Sequence, residues 1–329
     1  MTTIPRAPHA SVATRLMILI AMVLATVLAL AGCSSTDAGS DADKTIAISF
    51  PNYSRTPALQ VEMEAAEDEA ERRGYTLVLD DPGEDLDRQV STINTWIPQG
   101  YAAILAVALD STALAGVAKQ ATEAGTAWIT YGSTLENQTG EIDMQQAAGG
   151  ATIAELAAEW FNTERGGAGK VAILTYEEAE WARERRAAIE DTLRQQAPGV
   201  EIVARQDALS QTEGLDATST ILQAHPDLNA VLAISEAASV GAFGALADKT
   251  DPDMFIGGID GDKEALDAIA IPGSAYRGSA ALDLKMLGEG MVATAVNAAT
   301  GEGEATYRVS YLPVTAGSSE LDQMLALWD

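Results

Sequence analysis

The sequence predicts an α/β protein made of two doubly wound parallel-sheet lobes. Three observations carry this. Short, almost uninterrupted apolar runs alternate with longer amphipathic stretches, as buried parallel strands alternate with the helices that cover them. Gly and Pro stand at many of the boundaries between them. The rhythm runs twice, restarting near residue 140.

Thr45 to Phe50 (TIAISF) reads as the first strand and Pro57 to Arg73 as the first helix, with proline suited to its start and Gly74 to its end. Tyr75 to Leu79 is the second strand. Asp85 to Ile97 is a helix stopped by Pro98 and Gly100, and Ala102 to Ala108 (AAILAVA) a third strand. Ser111 to Ala124 follows as helix and Ala127 to Tyr131 as strand, and Gly132 to Gly140 is polar and turn-forming.

The second series opens with a helix over Gln145 to Phe161. Lys170 to Thr175 (KVAILT) is a strand, Trp181 to Gln196 a helix stopped by Pro198 and Gly199, and Val200 to Ala204 a strand. Gln211 to Ala224 is helical, Ala230 to Ile234 a strand, Ala237 to Ala247 a helix and Met254 to Ile259 a strand. Asp262 to Ala270 is expected as helix, Ser274 to Tyr276 as strand and Ala280 to Ala299 as a long helix. In open α/β sheets ligands sit beyond the carboxyl ends of the strands, so two facing lobes would enclose one between them.

Ahead of these elements lies an uncharged run from Leu16 to Gly32, preceded by Arg6 and Arg15, with no acid before Asp37. That is the layout of a secretory signal peptide. Its ending, Leu30-Ala31-Gly32-Cys33, resembles the lipobox of bacterial lipoproteins, which implies cleavage before Cys33 and lipidation of that cysteine. An uncleaved membrane-spanning helix is the alternative, since the run is about long enough to cross a bilayer. Residues 33–43, small and acidic after the cysteine, read as a flexible tether.

The chain of 329 residues carries 20 Lys and Arg against 48 Asp and Glu. A surface this acidic repels phosphate backbones, which excludes nucleic acid as a partner. Cys33 is the only cysteine, so no internal disulfide can form. His225 is the only histidine after the leader, so His and Cys metal clusters and Cys-His or Ser-His nucleophile pairs lack their materials. Gly166-Gly167-Ala168-Gly169-Lys170-Val171 lacks the Ser or Thr of a P-loop and precedes a strand instead of following one. Asp260-Gly261-Asp262 lacks calcium-loop spacing, and no Gly-x-Ser-x-Gly elbow occurs. No cofactor or metal is expected.

Four fragments in order carry a family resemblance: Glu71-Arg72-Arg73-Gly74-Tyr75, Ala182-Arg183-Glu184-Arg185, His225-Pro226-Asp227 and Gly257-Gly258-Ile259-Asp260-Gly261. Over roughly Thr45 to Val314 the chain resembles the sugar-type periplasmic binding proteins related to ribose-binding protein and the lactose repressor core. The resemblance implies a type I periplasmic binding fold whose lobes are joined by a three-segment hinge, with crossings near Glu141, Gly278 and Gly303. Lobe one would be 44–141 plus 279–302, and lobe two 142–278 plus 303–329. It also implies closure of the lobes on a ligand by hinge motion.

Sugar hydroxyls are best held by planar polar side chains, with aromatic faces against the apolar side of the ring. Asp260, ending a strand before Gly261, matches the family's ligand-binding aspartate; a helix-capping role is the alternative. Arg183 matches its binding arginine, against a surface ion pair with Glu180 or Glu184. Trp181 is a stacking candidate. Asn52, Tyr53 and Arg55 lie in the loop after the first strand. Asp110 and Tyr131 end strands, Ser235 and Glu236 follow one, and Gln145 and Ser279 stand near matched positions.

The departures bear on the ligand. Ala58 and Leu59 replace the family's aromatics, and Val107, Gly132 and Ser133 replace polar ligand groups. A common pentose held in the usual way is therefore not expected, and a less polar or differently shaped ligand is. The resemblance implies a monomeric, membrane-anchored extracytoplasmic protein that delivers a sugar or sugar-like molecule to the permease of an ABC importer. Two alternatives stay open: a sensor passing its closed state to a signalling receptor, and a hydrolase-like enzyme using carboxylates. Replacing Asp260 by Ala is expected to abolish the ligand response while leaving the unliganded melting temperature nearly unchanged.

Overall fold

The computed structural model describes residues 41–328. The leader and Cys33 lie outside the described residues. Two six-stranded sheets organise the chain from Lys44 onward.

The first sheet contains β1 (Thr45–Ser49), β2 (Thr76–Asp80), β3 (Ala103–Ala106), β4 (Ala127–Tyr131), β5 (Gly140–Asp143) and β11 (Thr306–Arg308) in the order β11-β5-β4-β3-β1-β2. All of its pairings are parallel. Its helices are α1 (Pro57–Arg73), α2 (Leu86–Trp96), α3 (Ser111–Glu123) and, far along the chain, α9 (Leu284–Thr300), which packs on α1. Gly288 permits that approach: a Cβ there would stand 2.2 Å from the carbonyl oxygen of Glu62 on α1. Every residue of β1 and β3 is buried, because helices cover both faces of the sheet.

The second sheet contains β6 (Ala168–Thr175), β7 (Gly199–Asp207), β8 (Ala230–Ala233), β9 (Phe255–Asp260), β10 (Tyr276–Leu282) and β12 (Tyr311–Thr315) in the order β12-β10-β9-β8-β6-β7. Only the edge strand β12 runs antiparallel. Its helices are α4 (Gln146–Glu164), α5 (Glu180–Gln196), α6 (Gln211–Ala224), α7 (Glu236–Ala245), α8 (Lys263–Ala270) and α10 (Ser319–Leu325).

In each sheet the winding reverses beside the first strand, between β1 and β3 and between β6 and β8. The carboxyl ends at these switch points are where doubly wound folds open a crevice. The loops carrying Asn52, Asp110 and Ser235, and the loop that leads to Trp181 at the start of α5, leave from those four strand ends.

Strand membership corrects the expected boundaries. β5 belongs to the first sheet through Asp143, β10 to the second through Leu282, and β11 to the first through Arg308. The chain therefore crosses after 143, after 282 and after 308, a few residues beyond Glu141, Gly278 and Gly303. The long helix expected from Ala280 begins at Leu284, with Asp283 capping it through Met286 N–H at 3.0 Å. Gly278 to Ala281 instead pair with β9, a tertiary contact that small residues accept without any local preference of their own. β5, which begins where the turn-forming section Gly132 to Gly140 ends, is four residues long with two acids; β12 carries Pro313, tolerated because the strand is at an edge.

Candidate functional site

The site is built around Arg185. On α5 it shares the buried face of Ala182, Ile189 and Leu193, so the helix carries a guanidinium into the interior, where its side chain is 6% exposed. A charge so buried needs partners, and it has four. Nη1 donates to Asp260 Oδ1 at 2.9 Å and to the Ile234 carbonyl at 2.7 Å, and Nε donates to Gln146 Oε1 at 2.6 Å. Nη2 reaches the Tyr311 hydroxyl at 3.4 Å. The rings of Trp181 and Tyr311 lie 5.3 and 5.9 Å from the guanidinium carbon, within cation–π range.

These contacts join the ends of β8 and β9, the start of α4, and β12. They reach the crossing segment as well, because Tyr311 donates its hydroxyl proton to the Met144 carbonyl at 2.9 Å. Two glycines let the parts close up. A Cβ at Gly150 would meet the Arg185 carbonyl oxygen at 2.2 Å, and one at Gly149 would meet the Tyr311 ring at 2.8 Å.

Asp260 ends β9 with φ 143°, a conformation that L residues rarely adopt and that folds tend to hold at functional positions. Its side chain keeps 31% of its surface exposed. Burial pushes its carboxyl above the ordinary range, and the Arg185 charge pulls the other way.

Behind Asp260 sits Glu236, fully buried at the first turn of α7. Its carboxylate accepts from the Gly261 N–H at 2.9 Å, from the Asp262 N–H and from the Ser279 hydroxyl. Burial, reinforced by repulsion from Asp262, pushes its pKa well up. Expected as ligand contacts, Glu236 and Ser279 are instead sealed against each other and hold the loop that presents Asp260. Ser235, next to them, is buried with its hydroxyl unpartnered among the described residues.

Arg183 is exposed and donates to the Glu177 carbonyl at 2.7 Å. The arginine beside Asp260 is Arg185, two residues on in the same fragment. The signal was present in the helical spacing Ala182, Arg185, Ile189, Leu193, which puts Arg185 on the core face and Arg183 off it.

From the first lobe comes Tyr131, partly buried and edge-on to Phe50 at 5.3 Å. Burial raises its pKa well above the phenol range, with further upward pushes from Glu62, from Tyr311 and from Asp260. Tyr311 and Asp260 lie on strands of the other sheet. Glu62 on α1, also missed in the sequence, is 1% exposed; burial pushes its carboxyl up to about 8, with the Tyr131 hydroxyl drawing it back.

The loop after β1 is gathered by Asp81. Its carboxylate accepts from Asn52 N–H at 2.7 Å, Ser54 N–H at 3.1 Å, Gly83 N–H at 2.9 Å and the Ser54 hydroxyl. Burial would raise its pKa, and these bonds carry it down to about 2. Asn52 takes a left-handed φ of 62° and accepts from Arg55 at 2.9 Å, while Tyr53 is partly buried against the core. Asp110 is exposed and caps α3 through Ala113 N–H at 2.9 Å. Gln145, at φ 47°, bonds Asp143 with both its backbone and its side chain and so shapes the crossing. Among the described residues no three His, Cys, Asp or Glu side chains are placed to hold a metal ion.

Two doubly wound sheets, a chain that passes between them three times, and polar and aromatic groups gathered at the strand ends define a two-lobed binding protein. The chain belongs to the periplasmic binding protein domain family, whose sequence profile matches residues 46–303. It is 30% identical over 205 residues to the ribose import binding protein of Bacillus subtilis (strain 168), covering 62% of this chain and 65% of that one. It is 28% identical over 254 residues to a D-apiose import binding protein of Actinobacillus succinogenes, covering 77% and 81%. In fold it is similar to a solute-binding protein of Bacillus halodurans solved with myo-inositol, at TM-score 0.74 and 23% identity over 88% of this chain and 99% of that one.

Proposed function

We propose that this chain is an extracytoplasmic solute-binding protein of an ABC-type importer, capturing a sugar or sugar-like molecule between its lobes. The observation that carries it is the Arg185–Asp260 pair, held at 2.9 Å at the carboxyl end of β9 with the carboxylate 31% exposed and the rings of Trp181 and Tyr311 against the guanidinium. The strained, part-exposed carboxylate suits ligand hydroxyls, and the aromatic rings suit the apolar face of a ring. The printed functions of the ribose and D-apiose relatives support the same ligand class. Asp260, Trp181, Ser235 and Tyr131 are the proposed contacts, with Arg183, Asn52, Tyr53 and Arg55 at the rim. Binding is non-covalent and includes no catalytic step.

The membrane attachment is proposed at Cys33, whose lipidated form would tether the folded lobes outside the cytoplasm next to the permease. Among the described residues no helix is long and apolar enough to cross a membrane. A thermal-shift screen with myo-inositol, D-ribose, D-apiose, D-allose and D-arabinose tests the ligand class. A saturable rise in melting temperature with at least one supports it, since a solute bound only by the folded state must stabilise that state. No rise with any at millimolar concentration contradicts it.

A further inference from the structure

A cavity of about 340 Å³ lies at the amino-terminal end of the second sheet, near the lower end of the size range of small-molecule sites. β9 starts in it with Phe255 and ends at Asp260, so it is separated from the Arg185–Asp260 pair by about 16 Å of strand, at ~3.3 Å per residue. Leu156, Trp160 and Phe255 give it an apolar lining. The Trp160 and Phe255 rings, both buried, tilt against each other at 5.8 Å. Arg277, near the start of β10, holds its guanidinium carbon 5.5 Å from the Trp160 ring centre.

Only part of the Arg277 fork is occupied. Nε donates to the Met254 carbonyl at 2.7 Å, and Nη2 to the carbonyls of Asp251 and Pro252 at 3.3 and 3.1 Å. Among the described residues Nη1 has no acceptor and the guanidinium no ion pair, although acids outnumber Lys and Arg 48 to 20 in the chain. Burial pulls its pKa down, and the more distant Glu164 and Asp251 push it back. Trp160 Nε1 is likewise buried without an acceptor among the described residues, where an indole N–H usually has one.

Two unused carboxylates share the cavity. Glu159 and Glu164 line it from α4, exposed, and among the described residues neither side chain forms an ion pair or accepts a hydrogen bond. Glu164 stands one helical turn beyond Trp160, the residue on which Arg277 lies. The acids repel a simple anion, and phosphate with its double charge more strongly; the guanidinium repels a simple cation. A molecule carrying both charges on an apolar body suits all of these groups at once.

We propose that this cavity is a second ligand site, for a zwitterionic α-amino acid with an apolar side chain. The carboxylate accepts from Arg277 Nη1, the ammonium group pairs with Glu164 and Glu159, and the side chain lies against Trp160 and Phe255. The site is independent of the one proposed between the lobes.

Calorimetric titration of the whole chain decides it, with L-phenylalanine, with 3-phenylpropanoate, which lacks the ammonium group, and with phenethylamine, which lacks the carboxylate. One site for L-phenylalanine is expected, with both analogues at least tenfold weaker. Glu159→Gln combined with Glu164→Gln, two exposed changes, should weaken L-phenylalanine at least tenfold and strengthen 3-phenylpropanoate. Arg277→Gln should lose L-phenylalanine altogether; because it also releases the loop 251–254, the glutamate variant decides if it fails to fold. Asp260→Asn should bind L-phenylalanine as the wild type does. Absence of L-phenylalanine binding at millimolar concentration overturns the proposal, as does equal affinity for 3-phenylpropanoate. Loss of L-phenylalanine binding in Asp260→Asn overturns it too, by placing the amino acid at the Arg185–Asp260 pair. The sugar screen is read separately, so either proposal can fail alone.

Discussion

Arg185 donates to Asp260 across 2.9 Å, and the two differ sharply in exposure: the guanidinium side chain is 6% exposed and the carboxylate 31%. The pair is thus a buried cation holding a part-exposed anion. The arginine orients and the aspartate is offered.

Removing the arginine should cost far more than removing its neighbour. Arg185→Ala leaves Asp260, the Ile234 carbonyl and Gln146 without a donor, and loss of one member of a buried pair costs roughly 3–5 kcal/mol. Arg183→Ala removes one exposed contact and should stay within about 0.5 kcal/mol. Urea denaturation of both variants checks this, and equal losses would contradict it.

Asp260→Ala strands the buried Arg185 charge, so the unliganded protein should melt at a lower temperature than the wild type. This revises the expectation from sequence that its unliganded stability is unaffected. Asp260→Asn keeps an acceptor for Nη1 and should lose less, on the order of 1–2 kcal/mol. A scan in which Asp260→Ala melts with the wild type would show the pair to be energetically idle.

Glu62 gives the fold a pH dependence. Its ordinary pKa of 4.5 is pushed up to about 8 by burial. The folded state therefore holds a proton that the unfolded chain releases, and the Glu62 contribution to stability is highest below about 4.5 and declines as pH rises to about 8. Glu62→Gln removes the charge, so the variant should match the wild type near pH 5 and exceed it at pH 9 by on the order of 3 kcal/mol. Denaturation curves at the two pH values read this directly; parallel declines in both proteins would refute it.

Gly150→Ala should be severe for a small change. Its Cβ would lie 2.2 Å from the Arg185 carbonyl oxygen, on backbone that cannot swing aside. The contact forces α4 and α5 apart, with an expected loss of roughly 1–3 kcal/mol from overpacking. Gly74→Ala on the first lobe, with nothing within 4 Å of its Cβ, isolates the cost of its positive φ of 74° and should be milder.

Much of the architecture was legible because parallel strands buried on both faces leave continuous apolar runs, as TIAIS and AVLA do. β10 was not, because its Gly278-Ser279-Ala280-Ala281 becomes a strand only through pairing with β9, far from it in sequence. Asp260 could be placed from the strand end and the following glycine. Arg185 was hidden by its neighbour: the fragment containing both arginines was visible, and only the burial of one helix face separates them. Glu236 and Ser279 were drawn to the site by position alone, and their sealing inside the lobe follows from a hydrogen-bonded network that spans 43 positions of sequence.

The most direct test of a solute gripped by both lobes is calorimetric titration of one compound, the strongest stabiliser among the five, into wild type, Tyr131→Ala and Asp260→Asn. One site per chain is expected, weakened at least tenfold, or about 1.4 kcal/mol, by each substitution although they lie on opposite lobes. Wild-type affinity in either variant would contradict it, for then only one lobe would hold the solute.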